Sequence, residues 1–532
     1  MSQRSSIRRT LATAAAVAAL STVLALSGCA GSAESVAPDA GSGETQIGGT
    51  LTIGQKQAVN TLDPATSGPP TYVFPAYEPL IYQQPDGSLI PALATDWAYT
   101  DDTNTSFEVK IREGVTFADG GALDSAAVKA SLERFLSLEG NPNATYAGPV
   151  ESIEATDDYT IVIHYSSAFP VAALSLSQDW RFGLIISPDG LADEESLATE
   201  THGAGQYVLD SSATVDGSSY TFDKNENYWS PDAVKFDIID MKVISDTAAQ
   251  LAALESGEID YANNAPAQTV TTAVAEGFQN APTLGVLSNV MLVERDSGPL
   301  ADERVREAIS LALDRGSLAS AVFGEGSEAQ STIAVEGQLG NTGTGLVEQN
   351  IDEAKQLLVD AGYPDGVSIT LLSIDGIDPN FTVATAVQSQ LAEAGITAEL
   401  TQATGAFDNF IGPLYGGEAD AAIWQWSIIN TYYQFSTNLI PAGALGNPLG
   451  GTDAELTSAF EAASSASEDG LDAALQAVVQ RYDDLNWTVP VASVPNGQLF
   501  AQNIGNLPTE PSVPQSLNIF SPDPDTSVER VG

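Results

Sequence analysis

The sequence predicts an α/β protein of two or three domains. Three observations carry this reading: short runs that alternate apolar and polar residues, longer segments with apolar residues three and four apart, and a length of 532 residues, too great for one hydrophobic core. Phe107, Val109 and Ile111 alternate with polar neighbours, as do Ile161, Ile163 and Tyr165, so each set lies on one face of a half-buried strand. Asp124 or Ser125 caps a helix whose apolar face is Val128, Leu132 and Phe135. Asp302 caps a second, with Val305, Ile309 and Leu313 four apart. Residues 352–361 bury Ala354, Leu357, Leu358 and Ala361, then stop at Gly362 with Pro364 following. A further helix runs through Val383, Val387 and Leu391, ends near Gly395 and gives way to a strand from Ile396 to Leu400. No segment repeats with a fixed period.

Cys29 is the single cysteine. It closes the run Leu26-Ser27-Gly28-Cys29, behind Arg4, Arg8, Arg9 and an apolar stretch from Leu11 to Leu26. This order predicts a lipoprotein signal over residues 1–28, with Cys29 lipidated and the body held outside the cytoplasm at the cell membrane by that anchor alone. The apolar stretch is short for a membrane-spanning helix. The bland alternative is a plain secretory peptide with an incidental cysteine. Residues 29–49 are rich in Ser, Gly, Ala and Glu without periodicity and read as a tether of about 25 Å root-mean-square reach. A formal net charge of −51 repels nucleic acid and anionic headgroups, which excludes both as partners.

Catalytic signatures are missing. The chain offers no cysteine nucleophile beyond Cys29, no G-x-S-x-G elbow and no H-E-x-x-H pair. Its two histidines read as structural: His164 in an alternating strand, His202 in a glycine turn with Gly203 and Gly205. Two histidines make a poor metal site, and no cofactor is expected. One window stands out, since Ala421 to Thr452 contains no Asp, Glu, Lys or Arg although the chain is 17% charged. It holds Trp424, Trp426, Tyr432, Tyr433 and Phe435 among Gln425, Asn430 and Asn438. Aromatic faces with a few amides suit a ligand held by stacking and neutral hydrogen bonds. The same window also reads as a buried strand followed by a covered loop.

A further set of residues carries a family likeness. Tyr77-Glu78-Pro79-Leu80, Asp86-Gly87 and Pro91-Ala92-Leu93-Ala94-Thr95-Asp96-Trp97 are followed by Phe107-Glu108-Val109-Lys110-Ile111-Arg112-Glu113-Gly114-Val115-Thr116-Phe117. Ala127 to Phe135, Asn225-Glu226-Asn227-Tyr228-Trp229, Leu254-Glu255-Ser256-Gly257-Glu258-Ile259-Asp260, Val305-Arg306-Glu307-Ala308 and Ala361-Gly362-Tyr363-Pro364-Asp365-Gly366 come later, in order. The ordered set resembles the family 5 extracellular solute-binding proteins, the peptide, dipeptide and nickel receptors of ABC importers.

The resemblance implies a bilobed clamshell of the periplasmic-binding-protein kind with an extra inserted domain. Residues 50–80, 206–284 and 496–532 would form lobe I, 81–205 the inserted domain and 285–495 lobe II. It also implies a monomer that captures a small ligand, most simply a peptide, and delivers it to the permease subunits of an ABC transporter, without enzymatic activity. The alternatives are an oligosaccharide receptor of the same fold and, in a different class, a secreted hydrolase. The family's tryptophan-containing ligand loop falls on Trp426, so Trp426, Trp424, Asn430 and Tyr432 are the candidate ligand residues. Two departures matter. Where peptide receptors follow the tryptophan with an aspartate that captures the α-amino group, this chain reads Ser427-Ile428-Ile429-Asn430. Before the Arg306 helix, where relatives carry an asparagine, it has Glu294, an anion that could act from another direction or simply be a solvated strand end. Tyr72, after Leu62-Asp63-Pro64, is a further cleft candidate, with a packed core tyrosine as its alternative.

Overall fold

The computed structural model describes residues 45–532 apart from 325, 378 and 514–516. The expected signal segment, Cys29 and most of the tether lie outside the described residues. Thr45 and Gln46, at the end of the stretch assigned to the tether, instead pair with Val531 and Arg530 as a short strand. No described helix is long and apolar enough to cross a membrane.

The strands expected around residues 107–111 and 161–165 form at Ser106–Ile111 and Thr160–Tyr165. With Ala94–Tyr99 and Val150–Asp157 outside them they make a four-stranded antiparallel sheet. Helix Ser125–Ser137 packs on it through Val128, Leu132 and Phe135, capped by Asp124, whose Oδ1 accepts the Ala127 N–H at 2.8 Å. Asp302 caps Glu303–Leu311 as expected, while the helix expected over 352–361 starts at Ile351 and is capped by Asn350.

A large mixed sheet holds the rest together. It runs Ile396–Ala403, Val367–Ile374, Ala421–Ser427, Gln279–Leu292, Thr488–Phe500, Tyr261–Ala265, Thr50–Gln55, Ile238–Val243, Ser219–Lys224 and Tyr207–Leu209. Two long antiparallel strands, Gln279–Leu292 and Thr488–Phe500, cross its middle. Their first part pairs Gln279–Thr283 with Phe500–Asn496, and their second pairs Val286–Met291 with Val494–Thr488. Between Thr283 and Val286 the register slips, and Gly285 sits in the slip at φ +74°. A Cβ there would stand 2.1 Å from the Val494 carbonyl oxygen, so only glycine fits. Hydrophobic cores lie on either side of the slip: one around Leu51, Tyr72, Phe222 and Phe500, another around Val305, Ile309, Val387 and Ile423. A third joins the four-stranded sheet to Trp426, Tyr433 and helix Glu468–Leu485.

Glu78 is 3% exposed, and both its carboxylate oxygens accept from the Tyr228 hydroxyl at 3.1 Å. Burial pushes its carboxyl up from 4.5 to about 8, against the opposing effect of the Tyr228 hydrogen bond. A carboxyl whose folded pKa is raised stabilises fully below its unfolded value, and that contribution is lost as pH rises through the folded one. Calorimetry should therefore show Tm falling from about pH 4.5 toward pH 8, and Glu78→Gln should flatten that slope. Gly285→Ala should destabilise by roughly 1–3 kcal/mol in urea unfolding, because it combines a strained φ with a backbone clash.

Candidate functional site

A cavity of about 170 Å³ opens beside the crossing strands. Pro70 contributes to one wall, together with Gln83, Asn143, Tyr146, Asp179, Trp180 and Arg181. Ile429 and Asn430, from the charge-free window, and Val513 face them.

Local structure fixes these side chains. Gln178–Trp180 is one short 3-10 turn. The Gln178 side chain accepts from the Gln83 N–H at 2.9 Å and donates to the Gln83 carbonyl at 2.7 Å, which pins the turn to strand Ile81–Gln83. Arg181 ends the turn at φ +67°, an uncommon conformation for a side-chain-bearing residue, and is 8% exposed. Its Nη1 donates to the carbonyls of Pro64 and Ser67 at 3.3 and 2.6 Å, and burial lowers its pKa to about 10. Arg134 holds the same loop by a bidentate pair to Asp63 at 2.9 and 2.6 Å. Asn143 donates to Ala65 O at 2.8 Å.

The two walls also touch directly. Tyr433 stacks on Trp180 with centroids 4.0 Å apart and rings 23° from parallel, and its hydroxyl donates to the Tyr146 carbonyl at 2.5 Å. Phe169 meets Tyr432 and Tyr433 edge-on, and Asn104 donates to Ala466 O at 2.7 Å.

Of the candidates read from sequence, Asn430 alone lies on the 170 Å³ cavity. Its Oδ1 caps the turn that follows, accepting from the N–H groups of Tyr432 and Tyr433 at 3.0 and 3.4 Å. Trp426 is 6% exposed and lines a separate space of about 10 Å³ with Leu287 and Gln434, too small for an organic ligand. Trp424 stacks on Phe410 at 5.2 Å within the strand Ala421–Ser427, the buried-strand alternative of the sequence reading. Tyr432 is 5% exposed, stacked on Phe460 with its hydroxyl 3.3 Å from Ser464 Oγ. Tyr72 is fully buried, bonded to Gln57 O at 2.8 Å and packed edge-on against Tyr220, hence the core alternative. Glu294 lies beyond the end of the long strand that is remote from Gly285, its carboxylate accepting the Ser297 N–H at 3.1 Å. That distance along the strand removes it from the cavity. Cys29 lies outside the described residues.

Asn143, Tyr146, Asp179, Trp180 and Arg181 were not legible as cavity-lining residues. A signal existed: from Tyr159 through Pro188, Asp179 and Arg181 are the only acidic or basic (Asp, Glu, Lys, Arg) residues, and they flank a tryptophan. His164 lies 3.9 Å from Glu154, and His202 Nε2 lies 2.8 Å from Ser196 Oγ. Among the described residues no group of three His, Cys, Asp or Glu is placed to hold a metal ion.

The model of the bacterial extracellular solute-binding proteins, family 5 (middle region), matches residues 88–444. The probable D,D-dipeptide-binding periplasmic protein DdpA of Escherichia coli K12 is 28% identical over 398 residues, 71% of this chain and 74% of that protein. The glutathione-binding protein GsiB of Escherichia coli K12 is 28% identical over 344 residues, 61% of this chain and 63% of that protein. The solved periplasmic murein tripeptide-binding protein MppA, in its unliganded open form, superposes with a TM-score of 0.78 at 20% identity, covering 92% of this chain and 99% of that one. The fold is therefore that of the bilobed periplasmic binding proteins, and the relatives are solute-binding proteins rather than enzymes.

Tyr433→Phe should lower stability by about 1 kcal/mol through the lost hydroxyl bond. Tyr433→Ala should cost about 3–5 kcal/mol, since it also removes a buried ring. Urea unfolding of both variants checks the contact between the walls.

Proposed function

The chain belongs to the bacterial extracellular solute-binding proteins of family 5, and from that premise we propose that it is a lipid-anchored receptor that binds a short peptide between two lobes and delivers it to an ABC importer. The observation that carries the reading is the 170 Å³ cavity, walled by residues from both sides of the crossing strands. A ligand seated there gains contacts to both walls only when they close, so its binding energy shifts an open–closed equilibrium. The slip at Gly285 and Pro495 supplies the hinge, with lobe II from 285 to 495, the inserted domain from 81 to 205 and lobe I from the remaining segments. Closure is what the permease reads.

A short peptide suits the wall chemistry. The cavity offers amides, a carboxylate and aromatic edges rather than open ring faces, since Trp424, Trp426 and Tyr432 are spent on packing. That argues against the stacking platform an oligosaccharide would need. Outside the described residues, Cys29 is the lipidated residue, and the receptor works as a monomer.

Thermal unfolding against separate pools of short peptides and oligosaccharides tests the ligand class. At about a hundred times its dissociation constant, a bound peptide should add roughly 2.7 kcal/mol of stability. A shift with sugars and none with peptides overturns the reading. Deletion of the gene should abolish uptake of the peptide that binds, and unchanged uptake would separate this receptor from import.

A further inference from the structure

We propose that the Arg295 guanidinium holds a small inorganic anion, chloride by class, on its Nε edge, at a site apart from the 170 Å³ cavity and independent of the peptide reading. Arg295 is 7% exposed, and its Nε and Nη1 are buried without a hydrogen-bond partner among the described residues. Only Nη2 is bonded, to Asn447 Oδ1. No other arginine among the described residues has buried nitrogens left in this way. Arg134, Arg304, Arg481 and Arg530 each hold a carboxylate. The buried Arg306 and Arg315 donate to backbone carbonyls, those of Leu485 and Leu300 and of Pro490 and Ser310. A buried charge without a counter-charge is costly and buried donors are nearly always satisfied, so these nitrogens mark where an anion belongs.

The surroundings explain why the chain does not supply that anion itself. Asn447 and Gly451, which meet Arg295 on one side, belong to the window 421–452, and that window contains no acid. One face of the guanidinium lies on the Trp487 ring, 4.1 Å from its centroid. Of the flanking acids, Glu294 accepts from the Ser297 N–H at 3.1 Å and Asp296 is exposed. Burial is the main influence lowering the Arg295 pKa; Arg306 adds in the same direction, and Tyr482 and Asp296 only partly oppose them. Gly451 leaves room at the Nε edge. A Cβ there would stand 3.3 Å from Nε and 3.6 Å from Nη2, and its φ lies outside the left-handed region, so backbone conformation does not call for glycine. Asn447 closes the site in a fixed sense, since its Nδ2 donates to the Ile440 and Gly451 carbonyls at 2.9 Å and its Oδ1 is left to accept from Nη2. Nitrogens sealed in this way suit a single ion rather than an organic acid. Pro441, Ala442 and Gly443 of the covering turn are exposed, so an ion enters by way of the turn and not through the core.

The test measures Tm of the purified protein while sodium chloride replaces sodium gluconate at fixed ionic strength, which holds general screening constant. The wild-type Tm should rise with chloride along the saturation curve of a single site. Arg295→Met should show no such rise. Gly451→Ala, which fills the Nε edge, should need roughly tenfold more chloride for the same shift. A wild-type Tm that is equal in chloride and gluconate, or a rise that Arg295→Met retains, overturns the assignment. Should Arg295→Met not fold, wild-type crystals soaked in sodium bromide decide. An anomalous peak beside Arg295 Nε supports the site, and a water molecule there without anomalous signal overturns it. Each of these results leaves the peptide reading untouched, because no peptide enters the measurement.

Discussion

Everything in this molecule hangs on the antiparallel pairing of two strands, Gln279–Leu292 and Thr488–Phe500. They are the one place where the large sheet passes from the core around Leu51 and Phe222 to the core around Ile309 and Val387. Backbone hydrogen bonds along both strands keep the two halves in register without a separate linker. The register slips twice, once between Ser288 and Asn289 and once, where a glycine stands, between Thr283 and Val286. There the backbone is left to the conformational freedom of Gly285 and to a neighbour, Pro495, that cannot donate a ladder bond.

The cavity exists because of what lies beside that level. Two charge-poor stretches face each other across it, 421–452 from one side and 159–188 from the other. Desolvating charge is costly, so surfaces that press together in a strongly acidic chain shed their carboxylates. Tyr433 against Trp180 and Phe169 is the result, and the space left between these contacts is the cavity. The charges that do remain in the second stretch, Asp179 and Arg181, sit on a turn held by Gln178 on Gln83 and by Arg181 on the Pro64 and Ser67 carbonyls.

The elements were readable wherever a local rule had no competitor. Asp124, with an apolar face four apart behind it, gave a helix at Ser125–Ser137, and strict alternation gave the strands at 106–111 and 160–165. The helix expected over 352–361 is capped at Asn350, ahead of the residues whose apolar face announced it, because a cap depends on one side chain meeting one N–H. Site residues were a different matter. Trp424, Trp426, Tyr432 and Tyr72 carry the composition of a ligand surface, yet large aromatic rings also fill cores, and here Trp426, Tyr432 and Tyr72 do, while Trp424 is half-buried against Phe410. Of that set only Asn430 reached the cavity.

By itself the sequence determined the α/β class, the helices and two of their caps, the half-buried strands and, through an ordered series of motifs, the family. These follow from neighbours within a few residues or from the order of segments, and both are written along the chain. Only the tertiary structure decided which aromatics are core and which line the cavity, that Glu294 lies at the far end of its strand, and that Asp179 meets Asn430 across an open space. Those relations join residues some 250 positions apart through the crossing strands. No local pattern encodes them, since the same aromatic or carboxylate serves equally well on either face of a sheet until the other wall is in place.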